Sequence, residues 1–373
     1  MRWGARVVVH ATLLLHFARG KEGACAVSGL TKAYANSSCS ALPGATAQVD
    51  IAGMKGEREH AQIVVHDVGD EGLQVTISEL VAQEKGASPI PASAFSWKEV
   101  GHVDVKHTTR YSPSGGGWTP DPLLPPVKPG VLHAPVLWLA LDIPRTAAAG
   151  DYTGQIALGG SIKIQITVTV WTIVLPLPSE LHHAFPEIWS FNTPNLQSLY
   201  GSAYSNKTKW AFFDMMSDHL LPPDDLYKKQ PAPLEDYVYL NRTGAALLNL
   251  GDIGRDAVGC PQNYTEAQVE AVLQMLAPAV ASLEKAGIIG GPNSPVPYVY
   301  GYDEQPRSCE HNIRMLFGAV KKRFQNKVHT AAVLNWKGGL PVDLPVDIWI
   351  LQYEDYVPAD AQRWRAAGKP QYW

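Results

Sequence analysis

The sequence predicts a multi-domain protein in which an all-β sandwich is followed by an α/β unit of the (β/α)8-barrel type. Three observations predict this architecture: the period-two alternation of the first half, the alternation of strands and helices in the second half, and a Leu-Pro linker between them. A chain of 373 residues also exceeds the usual single domain. We expect a signal peptide at 1–24, the sandwich at 40–178 and the barrel at 179–373.

The region from about 45 to 176 is predicted to be all-β. From Ile162 to Val170, isoleucine and valine alternate strictly with lysine, glutamine and threonine, which is the period of a strand with one buried face. Further short strands are separated by turn signals, as in a sandwich: His60–Asp67, Leu73–Ser78, Ala134–Ile143 and Asp151–Leu158. Because it is rich in glycine and proline, Pro113–Pro122 is predicted to be an irregular loop.

After the linker Leu175-Pro-Leu-Pro178, strands alternate with helices, which predicts a parallel sheet and most simply a barrel. The clearest helix begins at a capping box formed by Thr265 and Gln268 and is closed by Gly287. Roughly six or seven β/α units can be counted where a closed barrel needs eight. Either the last units are missing from this chain or the barrel is not a regular one, and we expect a barrel that is incomplete at its C-terminal end. The predicted elements, in order, are Ala184–Phe191, Lys209–Leu221, Ala245–Leu250, Thr265–Ala286, the strand from Tyr298, Glu310–Phe324, Val328–Leu334 and Val346–Tyr353.

Charge and motif content exclude several classes of function. A net charge of −4 favours neither nucleic acid nor an anionic membrane as a partner. The sequence lacks the spacings of glycine-rich phosphate loops, of H-E-x-x-H zinc helices and of the G-x-S-x-G nucleophile elbow. We therefore expect neither a metal nor an organic cofactor.

The N-terminus has the three-part pattern of a secretory signal peptide. Arg2 and Arg6 give a basic start, and Val7–Phe17 is an apolar stretch too short to span a membrane. Ala24-Cys25-Ala26 fits the cleavage pattern, a cut near Gly20 fits equally well, and a buried N-terminal strand is the alternative interpretation. We expect a secreted or lumenal protein.

Glycosylation acceptors and cysteines agree with secretion. N-glycosylation acceptor sequences begin at Asn36, Asn206, Asn241 and Asn263. No cysteine pair has the C-x-x-C spacing of zinc or redox motifs, and the economical disulfide pairing is Cys25–Cys39 with Cys260–Cys309. Cleavage after Ala26 would remove Cys25 and leave Cys39 without this partner.

The stretch Tyr298-Val-Tyr-Gly-Tyr-Asp-Glu-Gln-Pro306 is predicted to be a buried strand that ends in two adjacent carboxylates, Asp303 and Glu304. The C-terminal ends of such strands are where α/β barrels place their chemistry. Retaining glycosidases usually hold two carboxylates about 5–5.5 Å apart, and substrate-assisted cleavage of a 2-acetamido sugar is an exception that a consecutive pair suits better. Adjacent acids also arise by chance, as at Asp70-Glu71, or cap helices.

Several motifs occur in a recognisable order: Gly56-Glu-Arg-Glu-His-Ala-Gln62, Trp118-Thr-Pro-Asp-Pro122, Ile143-Pro-Arg-Thr-Ala-Ala-Ala-Gly-Asp-Tyr-Thr-Gly154, the Leu-Pro linker, Asp218-His-Leu-Leu-Pro-Pro223 and Tyr302-Asp-Glu-Gln-Pro306. With them, the chain from about Gln48 onward resembles glycoside hydrolase family 123, in which a β-sandwich precedes a barrel whose fourth strand ends in an Asp-Glu pair. The resemblance implies removal of terminal β-linked N-acetylgalactosamine by the substrate-assisted route. It also implies that Asp303 orients and stabilises the acetamido group and that Glu304 is the general acid and base.

Residues near the predicted strand ends suit the hydroxyls and the apolar face of a sugar, although core packing explains each tryptophan equally well: Trp189, Tyr302, Asn335, Trp336, Gln352 and Tyr353. Glu354-Asp355 is a rival acidic pair, and a Glu304 that faced Glu354 would favour a two-carboxylate glycosidase. A further hypothesis is a non-catalytic carbohydrate-binding or scaffold protein with a degenerate barrel. The expected partner is a glycan, preferably one with a 2-acetamido sugar.

Overall fold

The computed structural model describes residues 23–106, 117–177, 180, 193–254, 260, 263–334, 336, 341–350 and 356–369, with 193–195 as backbone only. The chain divides into two compact units, of which the first ends at Leu175 and the second begins at Pro176. Nearly all of the expected signal peptide lies outside the described residues. Within them, no helix combines the length and the apolar character needed to cross a membrane.

The described part of the first unit consists of strands in two sheets. A five-stranded antiparallel sheet has the order β1-β3-β9-β6-β7, and a six-stranded sheet has the order β2-β11-β10-β4-β8 with β5 beside β10. Strand β2 runs parallel to β11, whereas the other pairs are antiparallel. The strands are β1 (Ala24–Ser28), β2 (Gln48–Lys55), β3 (Arg58–Val65), β4 (Leu73–Ile77), β5 (Val81–Ala82), β6 (Phe95–Val105), β7 (Gly117–Leu124), β8 (Val131–Leu132), β9 (Val136–Asp142), β10 (Gly150–Leu158) and β11 (Ile162–Val174).

The two sheets share one hydrophobic core, as in a β-sandwich. Ile63 and Leu137 of the first sheet pack in the same buried cluster as Ile156 and Ile166 of the second. The predicted alternation in β11 is confirmed, because its inward residues are buried and its polar residues are not: Ile164, Ile166, Val168 and Val170 are each at most 2% exposed.

Strand β7 corrects the prediction of an irregular loop over Pro113–Pro122. Residues from Gly117 onward form a strand, while 107–116 lie outside the described residues. Among the described residues, this strand is the last of its sheet and pairs on one side only, with β6. Because an edge strand needs backbone donors on one side only, Pro120 and Pro122 are tolerated there.

Both predicted disulfides are confirmed, Cys25–Cys39 and Cys260–Cys309. Cys25 lies in β1, which pairs with β3 along all five of its residues. The first unit therefore includes a strand upstream of residue 40, where we expect the sandwich to begin. Cleavage after Ala26 would remove more than half of this strand.

The described part of the second unit is built on a four-stranded parallel sheet of order β12-β13-β14-β15, which confirms the predicted parallel pairing. The strands are β12 (Leu247–Asp252), β13 (Val296–Gly301), β14 (His329–Val333) and β15 (Ile348–Ile350). The helices are α1 (Thr193–Tyr200), α2 (Asn206–Asp218), α3 (Leu234–Arg242), α4 (Glu266–Lys285), α5 (Glu310–Arg323) and α6 (Pro358–Ala366). Helix α4 has the predicted capping box, whereas α1, α3 and α6 are not predicted from the sequence. The predicted strand Ala184–Phe191 lies outside the described residues.

Alternate residues of this sheet enter two different cores. Leu248, Val299 and Ala332 pack with the buried faces of the helices. Tyr298 and Ala331, one register position away, belong to a separate cluster with Leu226 and Ile348. A parallel sheet buried on both faces places the carboxyl ends of all its strands along one edge, where side chains from several strands can meet.

We expect the double variant Cys260→Ser/Cys309→Ser to unfold at a lower temperature than the wild type. The bridge spans 49 residues, and loop-closure entropy of the unfolded chain assigns about 4 kcal/mol to a loop of that length. The Cys25–Cys39 bridge spans 14 residues and should contribute less, about 3 kcal/mol. Chemical denaturation of this variant and of Cys25→Ser/Cys39→Ser measures the loss of unfolding free energy in each. A larger loss in Cys25→Ser/Cys39→Ser would contradict the expected order.

Candidate active site

The candidate site is a turn that follows β13. The sequence predicts a strand that ends in Asp303 and Glu304. In the structure the strand ends at Gly301, two residues before Asp303, so the two acids lie on the turn that follows it. Tyr302 and Glu304 have left-handed backbone conformations, with φ of 57° and 53°. These conformations are uncommon for residues other than glycine, cost about 1–2 kcal/mol each, and collect at functional sites.

Hydrogen bonds from neighbouring segments hold this turn. The backbone N–H of Glu304 donates to the carbonyl of Val333 at 3.0 Å, which ties the turn to the end of β14. The Gln305 side chain donates back to the Asp303 carbonyl at 2.9 Å, and Trp336 Nε1 donates to the Gln305 carbonyl at 2.8 Å. These bonds offset the conformational cost of the turn.

Two glycines let the chain after β12 touch the end of β13. A Cβ on Gly301 would lie 2.8 Å from the backbone nitrogen of Gly254, and one on Gly254 would lie 2.7 Å from the backbone nitrogen of Tyr302. Both obstacles are backbone atoms, which cannot rotate aside. The carboxyl ends of the two strands are therefore packed directly together.

Tyrosine hydroxyls hold the half-buried side chain of Asp303. Tyr227 Oη donates to Asp303 Oδ2 at 3.0 Å, and the charge of this carboxylate also acts on the buried Tyr300. Burial raises the pKa of Tyr300 and of Tyr227, and the adjacent Asp303 charge raises both pKa values further. Both phenols are therefore protonated at neutral pH, and the bond from Tyr227 fixes the orientation of the Asp303 carboxylate.

Two more carboxylates act on the same tyrosines. Asp252, at the end of β12, is 7% exposed, and its negative charge contributes to the raised pKa of both Tyr227 and Tyr300. The charge of Glu304 contributes to the raised pKa of Tyr227. This concentration of negative charge can stabilise a positive charge that develops on a ligand.

Tyr227 reaches the site because the segment 225–228 runs beside β12. The Asn249 side chain donates to the carbonyls of Asp225 and Leu226, at 3.2 and 3.3 Å. The backbone N–H of Asp252 donates to the Lys228 carbonyl at 2.7 Å. These bonds join residues more than 20 positions apart, so no local sequence signal predicts them.

The sequence-predicted site residues that the structure describes differ in how exposed their side chains are. Asp303 is half-buried and Glu304 exposed on the turn. Tyr302 is fully buried and packs edge-on against Phe317 with ring centroids 5.2 Å apart, so its side chain offers no surface to a sugar, contrary to our expectation. Trp336 is 7% exposed, and its indole N–H donates to the turn at the Gln305 carbonyl. The Arg307 guanidinium lies 5.8 Å from its ring centroid. The others lie outside the described residues: Trp189, Asn335, Gln352 and Tyr353, together with the rival pair Glu354-Asp355.

Sequence reasoning missed Tyr227, Tyr300 and Asp252. The strand period could have found Tyr300, because Tyr298 and Tyr300 share the face opposite to the helices. Asp252 is the last residue of its strand, as a site residue in an α/β unit should be. In the described residues, no group of three or more histidine, cysteine, aspartate and glutamate side chains could hold a metal ion.

Comparison with solved structures finds a similar fold in a family 123 glycoside hydrolase from Clostridium perfringens, a structure concerned with glycolipid glycan hydrolysis. The TM-score is 0.67 at 13% identity, over 94% of this chain and 71% of that chain. A GH5 xyloglucanase from Bacteroides ovatus covers 76% of this chain and 63% of its own at 12% identity, and its TM-score of 0.21 is too low to support an argument. No protein-family model and no curated protein matches the chain. The chain therefore shares the fold of a family 123 glycoside hydrolase, the family that its sequence motifs resemble.

Proposed function

We propose that the protein is a glycoside hydrolase that removes terminal β-linked N-acetylgalactosamine, with participation of the sugar's own acetamido group. The observation that carries this proposal is the strained turn that holds Asp303 and Glu304, with the Asp303 carboxylate fixed by the hydroxyl of Tyr227. The fold shared with a family 123 glycoside hydrolase supports the same class of reaction.

We further propose that the second unit is of the (β/α)8-barrel type. Its four described parallel strands are neighbours in sequence order, as barrel strands are. The segment 225–228 lies beside β12 and contributes Leu226 to the cluster of Tyr298 and Ala331. This cluster would fill the inside of the barrel, with the acids at its carboxyl end.

In the first step the acetamido oxygen attacks C1 of the sugar and the bond from C1 to the leaving oxygen breaks. Glu304, in its acid form, transfers its proton to that oxygen, so the alcohol leaves neutral. Asp303 accepts a hydrogen bond from the acetamido N–H, and its charge stabilises the positive oxazolinium ring that forms. Tyr227 occupies Oδ2, and the carboxylate keeps further lone pairs for the sugar.

In the second step a water molecule attacks C1 from the face that the leaving group vacated. Glu304, now the base, takes the water proton, and the bond between C1 and the acetamido oxygen breaks to restore the acetamide. Two inversions at C1 give net retention. One water is consumed, and one sugar and one alcohol are released.

Tyr227→Phe should lower kcat/KM for an aryl β-N-acetylgalactosaminide by about 10- to 100-fold, because a hydrogen bond to a charged group contributes about 1.5–3 kcal/mol. Tyr227 acts here as a positioning residue for Asp303. The double variant with Asp303→Asn should therefore lose little more than Asp303→Asn alone. Tyr239→Phe is the matched control, since its hydroxyl donates to Asp214 at 2.7 Å, away from the turn. Multiplicative losses in the double variant would contradict the positioning role.

A panel of chromogenic substrates tests the proposed function. The wild type should release phenol from aryl β-N-acetylgalactosaminide and not from the β-galactoside, which lacks the acetamide; the β-N-acetylglucosaminide tests selectivity at C4. Equal cleavage of the galactoside would favour the two-carboxylate glycosidase. Saccharide binding without any turnover would favour the non-catalytic binding protein.

We also propose that the protein is secreted or lumenal and glycosylated. Two disulfides are typical of an oxidising compartment. The acceptor asparagines are all exposed: Asn36, Asn206, Asn241 and Asn263. The place of Cys25 in a paired strand favours signal cleavage no later than Ala24.

A further inference from the structure

One acceptor asparagine lies in the wall of a cavity of about 640 Å³ in the second unit. The cavity lies between α2, α3 and the segment 223–233, and its volume is in the range of small-molecule sites, about 300–1,000 Å³. Asn206, the first residue of α2, is an exposed lining residue and begins the acceptor sequence Asn206-Lys-Thr208. The other acceptors do not line this cavity: Asn36, Asn241 and Asn263. A sugar linked to Asn206 therefore begins at the mouth of the cavity.

The cavity has an apolar floor and a polar mouth. Phe213, Pro223 and Leu240 are buried lining residues. Gln197 and Gln230 are exposed lining residues, and their amides can donate and accept hydrogen bonds. N-acetylglucosamine, the sugar that N-glycosylation attaches to asparagine, matches this arrangement because it has an apolar C–H face, hydroxyls and an amide.

Two lysines in the wall are paired with aspartates. Lys209 Nζ lies 2.5 Å from an oxygen of Asp236, and both side chains are mostly buried. Lys228 Nζ lies 3.2 Å from an oxygen of Asp224. A charged ligand would compete with these pairs, whereas an uncharged sugar leaves them intact.

The covalent link to Asn206 raises the local concentration of the sugar. A group on a short flexible tether reaches its site by an intramolecular step, with an effective concentration in the millimolar range. A contact with a dissociation constant of about 1 mM is therefore enough to keep the cavity occupied for much of the time. A free saccharide would have to compete with the attached one.

The segment 223–233, which forms one side of the cavity, contains neither a helix nor a strand. Isolated bonds hold it, such as the one from the backbone N–H of Ala232 to the hydroxyl of Tyr237 at 3.0 Å. Segments of this kind open locally at a low cost in free energy. The same segment carries Tyr227, whose hydroxyl donates to Asp303. A group packed in the cavity would therefore also steady this partner of the candidate site.

We propose that the cavity seats the first N-acetylglucosamine of a glycan on Asn206, and that the seated sugar holds the segment 223–233 against α2. The inference rests on the proposed secretion and glycosylation and does not depend on the proposed hydrolytic activity. In the modification, the amide nitrogen of Asn206 bonds to C1 of the sugar, and the bond from C1 to the diphosphate of a lipid-linked donor breaks. The amide proton leaves with the released diphosphate.

Hydrogen exchange of the secreted protein tests this glycan seat. Wild type, Asn206→Gln and Asn241→Gln are produced in a eukaryotic secretory host, and mass spectrometry gives the occupancy of each acceptor. The backbone amides of 224–230 should exchange about 10-fold faster in Asn206→Gln than in the wild type, because their opening no longer displaces a seated sugar. Asn241→Gln, on α3 outside the cavity, is the matched control and should exchange at the wild-type rate.

Two further samples isolate the first sugar. Wild type trimmed to a single N-acetylglucosamine at each acceptor should keep its slow exchange, because the cavity holds that sugar alone. Unglycosylated wild type and unglycosylated Asn206→Gln, both from a bacterial periplasm, should exchange equally fast. A difference between these two would assign the effect to the substitution itself and overturn the glycan seat.

The remaining outcomes separate the glycan seat from the other proposals. An unmodified Asn206 in a protein whose Asn241 is modified, or equal exchange in glycosylated wild type and Asn206→Gln, would overturn the glycan seat alone. Absence of glycans from all four acceptors would overturn it together with the proposed glycosylation. Slow exchange that depends on the Asn206 glycan, combined with failure of the chromogenic panel, would support the glycan seat and refute the hydrolase.

Discussion

Glu304→Gln should lower kcat/KM for an aryl β-N-acetylgalactosaminide by about 100- to 10,000-fold, which is the range for loss of a general acid and base. The side chain is exposed on the turn, so folding and the thermal midpoint should not change. The loss should be smaller for a dinitrophenyl leaving group, which departs without protonation. Steady-state kinetics on both leaving groups, with thermal unfolding beside them, measure these effects.

The chain supplies a matched control for this variant. Asp70 and Glu71 are also adjacent acids, and both are exposed in a turn of the first unit. Glu71→Gln should retain wild-type kinetics. Equal losses for good and poor leaving groups in Glu304→Gln would mean that the side chain supports the turn and does not transfer the proton.

Asp303→Asn should lower kcat/KM for the same acetamido substrate by about 100- to 1,000-fold, comparable to the loss of one electrostatic contact with the charge of a transition state. The amide keeps the size of the carboxylate but lacks the negative charge that stabilises the oxazolinium. Binding of the product N-acetylgalactosamine, measured by calorimetry, should fall much less than kcat, because the product carries no positive charge.

Asp70→Asn is the control for this second substitution and should leave both measurements unchanged. A harmless Asp303→Asn would refute substrate assistance. A variant that lost product binding and kcat in equal proportion would assign Asp303 to binding of the sugar alone.

Elements with a regular side-chain period could be predicted from the sequence. The alternation from Ile162 to Val170 gave the core strand of the sandwich, and Thr265 with Gln268 gave the start of α4. The two disulfides were predicted by pairing each cysteine with its neighbouring cysteine in the sequence. Strand β7 escaped prediction because its prolines are acceptable only at a sheet edge, and an edge is a property of the tertiary structure.

The candidate site was predictable in part. An apolar strand followed by Asp303 and Glu304 is visible in the sequence, and the structure places both on one turn. The left-handed conformations at Tyr302 and Glu304 are not visible, because neither residue is a glycine and the bond from Glu304 to Val333 imposes the turn from a neighbouring strand. The contact between Tyr227 and Asp303 joins residues 76 positions apart, which no local pattern encodes.

The most direct test of the central claim is calorimetric binding of the thiazoline analogue of N-acetylgalactosamine, an uncleavable mimic of the oxazoline. If Asp303 stabilises the ring formed by the acetamido group, the wild type should bind this analogue at least 100-fold more tightly than N-acetylgalactosamine, and Asp303→Asn should lose most of that preference. Equal affinity of the wild type for the analogue and the free sugar would contradict the account.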